Sequence, residues 1–181
     1  MRENAAMRLP LLVVVTGMPS SGKTTVAEGL ASELCLPLIA KDEIKECLYE
    51  NLGARDVSSS GRIGAAAYAL IFTMAREMLS SGVSVVIEAN FFRGQEADFA
   101  SLPEHNMLQL HCDAPLGILL ERYANRTRHA GHHDAEKITE LPGRFESGVH
   151  SPLDIEGDLI QLDTTQPMDM NRLAERIRTL L

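Results

Sequence analysis

The stretch Gly17-Met18-Pro19-Ser20-Ser21-Gly22-Lys23-Thr24 fits the phosphate-loop pattern G-x-x-x-x-G-K-[ST] at every specified position. Upstream, Leu11-Leu12-Val13-Val14-Val15 is a short apolar, β-branched run that predicts a buried strand. Downstream, Val26, Leu30, Ala31 and Leu34 recur at helical spacing, which predicts a helix over Thr25 to Leu34. A loop of this kind between a strand and a helix start is a phosphate cradle. The competing reading is a Gly/Ser-rich turn that happens to precede a helix, and it leaves the ordered lysine and hydroxyl unexplained.

The residue types follow from the chemistry. Gly17 and Gly22 permit backbone angles and a close approach that a Cβ would obstruct, so that successive N–H groups and the positive helix end face an anionic polyphosphate. Lys23 is then expected to reach the β- and γ-phosphates, and the Thr24 hydroxyl to ligate Mg²⁺. Gly17, Pro19, Ser20, Ser21, Gly22, Lys23, Thr24 and Thr25 are therefore the candidate nucleotide-binding residues.

At 181 residues and 45% hydrophobic content, the chain can bury the core of one α/β domain and is too short for two, so residues 1–181 are expected to form a single domain. A formal charge of −8 disfavours nonspecific binding to nucleic acid or to an anionic membrane, and leaves room for a local basic cleft. Cys35, Cys47 and Cys112 are odd in number and widely spaced, which suits a reducing compartment. Glu3 and Pro10 interrupt the start of the chain in a way that disfavours a signal peptide, and no apolar run reaches the roughly 18 residues of a membrane span. A cytoplasmic protein is expected.

Further strands are expected at Leu36–Ala40, Val83–Ile87, Met107–Cys112 and Leu159–Asp163. Asp42 is placed to cap a helix beginning at Lys41-Asp42-Glu43. Asn51 to Arg62 is polar and Ser/Gly-rich and predicts a loop, and Ile63 to Leu79 carries apolar residues at helical intervals. Pro115 to about Arg126 predicts a helix with proline at its entrance, and Met168 to Leu181 a closing amphipathic helix. Strands alternating with helices imply an α/β fold with a parallel sheet and helices on both faces. The strand at 83–87 then delivers Glu88 and Asn90 to the carboxyl edge of the sheet, where ligands bind.

With these residues in place, the chain resembles the P-loop small-molecule and nucleotide kinases. Among these it looks like the AAA_33 type, related to polynucleotide 5′-hydroxyl kinases, gluconate kinases and zeta-toxin-like kinases. The resemblance covers most of the chain and is most specific at Gly17–Thr24. It implies a P-loop NTPase three-layer sandwich with a five-stranded parallel sheet, an Arg/His-rich lid at about 126–135, and ATP with Mg²⁺ as cofactors. It further implies that Asp42 is the general base for an acceptor hydroxyl, a role a carboxylate suits and one compatible with capping. Lys45 stands where polynucleotide kinases carry an arginine on the reacting phosphate; it keeps the charge and loses the bidentate fork. Glu88 stands where the family carries an aspartate, and is expected to serve the Mg²⁺ shell or the acceptor; its alternative is a solvated strand-end carboxylate. Asn90 is a candidate acceptor ligand.

Glu121-Arg122-Tyr123-Ala124-Asn125-Arg126 is similar to the E-R-x-x-x-R run of nucleoside monophosphate kinases, in which the first arginine covers adenine and the second touches phosphates. Arg122 is thus a candidate ATP ligand and Arg126 a candidate catalytic lid residue, on one helical face if the helix persists, with Arg128 as a possible assistant. The alternative is a solvated arginine face. His129, His132, His133 and Asp134 have spacing that allows zinc, but no cysteine lies nearby, and Arg128-His129-Ala130-Gly131-His132 is similar to an R-H-P-G-H lid. His111 and Cys112 read as packing residues. The leading expectation is an ATP-dependent kinase acting on a hydroxyl of a small molecule such as a nucleoside, sugar or antibiotic. The rivals are a nucleotide-dependent regulatory ATPase and a polynucleotide 5′-hydroxyl kinase.

Overall fold

A computed structural model describes residues 8–52, 57–127, 129, 132 and 138–181. Five strands, β1 (Leu11–Gly17), β2 (Leu38–Ala40), β3 (Val85–Glu88), β4 (Asn106–Asp113) and β5 (Asp158–Asp163), form one sheet in the order β2-β3-β1-β4-β5. Every pairing is parallel. The helices are α1 (Lys23–Leu34), α2 (Lys41–Leu52), α3 (Val57–Ser80), α4 (Glu96–Ala100), α5 (Leu116–Asn125), α6 (Leu141–Glu146) and α7 (Met170–Arg178), with a 3₁₀ turn at Ile138–Glu140 before α6. Helices pack on both faces of this sheet, the three-layer α/β arrangement that the sequence predicts.

Strand β1 is buried along its whole length, and its alternating side chains separate the two cores. Leu11, Val13 and Val15 pack with Val26, Leu30, Leu173 and Ile177, on the α1 and α7 side. Leu12 and Val14 pack with Ile71, Phe72, Phe91 and Phe99, on the α3 side. A continuous apolar run is what a central parallel strand covered on both faces requires. The sheet order puts the neighbours of β1, β3 and β4, on opposite sides of it. The carboxyl ends of β2, β3 and β1, neighbours in that order, open on one edge of the sheet.

Several elements depart from the sequence expectation. Helix α3 begins at Val57, so much of the stretch expected to be loop is helical; Ser60 is 1% exposed, and packing of α2 against α3 overrides the local Ser/Gly bias. Residues 53–56 lie outside the described set. Strand β2 is confined to Leu38–Ala40, because Pro37 has no N–H to donate, although its carbonyl accepts from Val86 N at 2.9 Å. Helix α1 starts at Lys23, two residues earlier than the periodicity indicated. Asp42 is not an N-cap: β2 runs directly into α2 at Lys41, which moves Asp42 into the first turn, where its charge still complements the helix dipole.

Helix α5 ends at Asn125, and Arg126 is extended (φ −77°, ψ 141°), so Arg122 and Arg126 do not share one helical face. The described residues include no helix long and apolar enough to cross a membrane.

Candidate active site

The carboxyl edge of the sheet opens into a cleft of about 550 Å³. Its lining comprises Pro19, Ser20, Gly22, Lys23, Thr24 and Thr25 from the loop and α1, Lys41, Asp42 and Lys45 from α2, and Glu88, Ala89 and Asn90 from the end of β3. Arg122, Tyr123 and Arg126 come from α5 and its cap, with His132, Leu141 and Arg144 beyond. Nearly all the sequence-predicted site residues are thus brought together. Gly17 and Ser21 lie beneath the surface and shape the loop. The six cationic side chains among these residues face two carboxylates, in a chain whose overall charge is −8. A polyanion is the ligand such a field attracts.

The loop's shape is set by its backbone. Gly17 has φ +141°, and a Cβ there would lie 2.2 Å from the carbonyl oxygen of Cys112 on β4, its register partner. Ser20 and Gly22 also have positive φ, at 65° and 83°. Gly22 is the N-cap of α1 and offers the first-turn amides no side-chain hydrogen bond. Ser21 is buried, and its Oγ has no hydrogen-bond partner among the described residues. Open first-turn amides, a buried hydroxyl with bonding capacity and a lysine are the donor set a triphosphate needs, so the residues present fit ATP.

Lys23 is 8% exposed and donates from Nζ to the carbonyl oxygen of Met18 at 2.8 Å, which holds the ammonium across the mouth of the loop. Burial lowers its pKa below the usual lysine value; Glu88 and Asp42 oppose the shift, and Arg126 adds to it. Glu88 is 3% exposed at the end of β3, in register with Val15 and Ala40, which puts a carboxylate beside the lysine in a dry setting. The hard oxygen donors of Thr24 and Glu88 are suited to Mg²⁺.

Arg126 donates from Nη1 to Ser20 Oγ at 3.0 Å and stacks over the Tyr123 ring, its Cζ 3.8 Å from the centroid. Arg122 donates to Thr164 Oγ1 at 3.0 Å and to the Thr164 carbonyl at 2.8 Å, tying α5 to the turn after β5. Thr164 also packs beside Gly22. The two arginines therefore reach the loop from different directions. Of the expected lid, Arg126, Thr127, His129 and His132 are described; Arg128, His133 and Asp134 lie outside the described residues. His132 is 5% exposed, with Nε2 2.7 Å from Glu46 Oε1 and Nδ1 3.9 Å from Asp42 Oδ1, and His129 Nε2 lies 3.6 Å from Glu50 Oε1. Both histidines thus face carboxylates of α2. His111 and Cys112 are buried on β4, where burial lowers the imidazole pKa and raises the thiol to about 12, as suits packing residues.

A family profile described as an AAA domain, AAA_33, matches residues 12–147. The chain belongs to the AAA_33 family. In structure, this AAA_33 protein is similar to a candidate kinase from Chloroflexus aurantiacus J-10-fl. That match has 32% identity and a TM-score of 0.84, and covers 96% of this chain and 100% of that one. It is also similar to a sugar kinase from Janibacter sp. HTCC2649, at 22% identity with TM-score 0.59, covering 94% and 93%. A third similarity is to a chain of the Pnkp1/Rnl/Hen1 RNA repair complex, at 18% identity with TM-score 0.54, covering 81% of this chain and 49% of that one. A search of curated proteins finds no match. Family and fold together make this AAA_33 protein a phosphotransferase of the P-loop kinase type.

Sequence reasoning did not single out Lys41, Tyr123, Leu141, Arg144 or Thr164. Arg144 follows Leu141-Pro142-Gly143, whose proline and glycine mask a short helix. Lys41 stands next to Asp42, and that adjacency was the one available signal.

Proposed function

We propose that this protein transfers the γ-phosphoryl group of ATP to a hydroxyl of a small-molecule acceptor. One observation carries the reading: the glycine loop with Lys23, the Asp42 carboxylate and Arg126 all line a single cleft, so a donor and an acceptor can be held together within it. The acceptor O–H gives its proton to Asp42, its oxygen bonds to the γ-phosphorus, and the bond from that phosphorus to the β,γ-bridging oxygen breaks to leave ADP. Lys23 and the amides of the loop hold the phosphates in line, and Arg126, anchored on Ser20, adds positive charge where it develops. Thr24, and Glu88 directly or through water, would hold Mg²⁺, whose charge neutralises the β- and γ-oxygens.

The test is phosphoryl transfer from labelled ATP across nucleosides, sugars, hydroxylated antibiotics and 5′-hydroxyl oligonucleotides, with Lys23→Ala as the blank. With the acceptor found, Asp42→Asn is expected to lower kcat by about 10²–10⁴-fold while leaving ATP affinity nearly unchanged. Unaltered turnover in Asp42→Asn removes the base assignment. Hydrolysis that needs no acceptor and is stimulated by a protein partner favours a regulatory ATPase instead. Transfer confined to oligonucleotide ends, with steep salt dependence, favours an end kinase.

A further inference from the structure

Helix α3 is the longest of the described helices, and its outer side breaks the pattern set by the others. Helix α1 presents Glu28 and Glu33 to solvent, and α2 presents Glu43 and Glu50. On α3 no charged residue lies between Arg62 and Arg76, although Ala66, Ala69 and Thr73 are exposed and Leu70 and Met74 are 38% and 41% exposed. These positions recur three and four residues apart, on the side of the helix opposite Ala67, Ile71 and Ala75, which are fully buried. The Thr73 hydroxyl needs no water, because it donates to the Ala69 carbonyl at 2.9 Å. The stripe can therefore be covered without leaving a polar side chain unsatisfied. Single apolar residues on a surface need no explanation, but a continuous stripe bounded by charge marks an interaction surface.

The charges at its two ends say what covers it. Arg62 and Glu77 are both exposed, opposite in sign and equally far from the middle of the stripe, which falls between Ala69 and Leu70. About 15 residues, or roughly 22 Å, separate them along the helix, so they cannot pair within one chain. When α3 is laid antiparallel on a copy of itself about that midpoint, Arg62 comes opposite Glu77 at both ends. Between them small residues meet larger ones, Ala66 against Thr73 and Ala69 against Leu70. The alanines permit a close approach of the two helix axes, and the leucines meet beside the two-fold axis. A different partner would have to carry both charges at the same spacing, whereas a second copy supplies them by symmetry.

We propose that α3 forms the two-fold interface of a homodimer, packed antiparallel on α3 of a second copy, with Arg62 of each copy facing Glu77 of the other. The inner side of α3 carries Tyr68, whose hydroxyl donates to the carbonyl of the cleft residue Asn90 at 2.9 Å. The dimer therefore covers neither cleft and braces the helix behind Asn90 in both copies. A stripe roughly 22 Å long on a helix about 10 Å wide is smaller than the ~800 Å² per partner of a standard interface, so a weak dimer is expected, with Kd about 1–100 µM.

Sedimentation equilibrium of the full chain from about 1 to 300 µM is expected to show monomer and dimer exchanging across that range. Ala69→Arg puts two like charges at the axis and is expected to weaken association by about tenfold or more. Arg62→Glu and Glu77→Arg are each expected to weaken it about three- to tenfold, since both ends of the interface then carry a like-charged pair, and the double exchange Arg62→Glu/Glu77→Arg to restore most of the loss. Cys35 and Cys47 are exposed and Cys112 is buried, so oxidation is read in a Cys35→Ser/Cys47→Ser background. There Leu70→Cys is expected to give a disulfide-linked dimer, and Glu28→Cys on α1 is not.

A monomer at every concentration overturns the proposal and gives the stripe to a different partner. A dimer that Ala69→Arg leaves intact, a charge exchange that restores nothing, or a Leu70→Cys variant that crosslinks no better than Glu28→Cys overturns it too, and puts the contact elsewhere. None of these measurements involves nucleotide or acceptor, so the kinase reading stands or falls separately.

Discussion

The proposed donor end of the cleft is made of main chain from one contiguous segment, residues 17 to 25, whereas the proposed acceptor end is made of side chains from α2, α3, β3 and α6. At the donor end, positive φ values at Gly17, Ser20 and Gly22 bend the backbone against the central strands. At the acceptor end Lys41, Tyr68 and Asn90 hold one another through a stacked ammonium and a phenol bond, while Arg144 is held separately by Glu140 on the rim. The difference teaches how one fold serves many acceptors. On the proposed function, the triphosphate is held by a fixed array of amides that tolerates little change, while the acceptor meets side chains that can be exchanged without moving the sheet.

Glycine to alanine substitutions in the phosphate loop and in the loop after β3, outside the cleft lining, give the largest contrast. In Gly17→Ala the new Cβ meets the Cys112 carbonyl oxygen at 2.2 Å and Ser21 Oγ at 2.8 Å, at a φ of +141°. Neither backbone can retreat without breaking the β1–β4 register, so a loss of more than about 4 kcal/mol is expected. Gly94, in the loop after β3, also has positive φ (+105°), yet a Cβ there meets nothing within 4 Å. Gly94→Ala is expected to cost only about 1–3 kcal/mol, for backbone strain alone. Denaturant unfolding of both variants measures the gap, and equal losses would remove the claim that the donor end is the more tightly built.

The same asymmetry decides what the sequence makes legible. Gly17 to Thr24 is readable because every residue of the cradle is a neighbour of the next and each has a chemical reason to be there. The five strands are readable from apolar runs, and the sheet order then fixes where Glu88 and Asn90 emerge. The place of Arg144 in the cleft is not readable, since nothing local distinguishes a cleft-facing residue of a short helix from any other. The start of α3 is hidden for a related reason, because Ser58-Ser59-Ser60-Gly61 reads as a loop until α3 packs on α2 and Ser60 is buried. The end of α5 misled in the opposite direction: the i, i+4 spacing of Arg122 and Arg126 suggested one face, yet both reach the cleft because the chain leaves the helix between them.

At the acceptor end a pH dependence of stability is expected from His150. Its folded pKa is about 4, against an ordinary 6.5, so between these values the unfolded chain binds more protons than the folded one. Stability is therefore intact above pH 6.5 and falls as the medium is acidified, by about 2 kcal/mol at pH 5 and about 3 kcal/mol below pH 4 from this residue. His150→Gln removes the titration and is expected to cost about 1 kcal/mol at pH 7, through the perturbed bond to Phe91. Unfolding free energies of both proteins at pH 7 and pH 5 separate this contribution from that of the carboxylates. A wild type that loses no more than the variant on acidification would show that the imidazole is hydrated rather than buried among Phe91 and its neighbours.

The smallest expected effect tests where the two ends meet, at Lys23. Its ammonium lies between the loop and the Glu88 and Asp42 carboxylates, and burial lowers its pKa more than those charges raise it. In the free protein the proton is therefore lost on the alkaline side at a lower pH than for an exposed lysine, and phosphate binding, which favours the charged form, raises that pKa again. ATP affinity is expected to fall as pH rises through the free-protein value, by up to about tenfold per pH unit, with proton uptake accompanying binding in that range. Calorimetry in buffers of different ionisation enthalpy measures the uptake directly. Lys23→Arg keeps its charge far into the alkaline range, so its affinity profile should be flat where the wild type declines, whatever its absolute level. Parallel profiles for the two proteins would mean that the lysine stays charged throughout, and the carboxylates beside it would then dominate the electrostatics of the loop mouth.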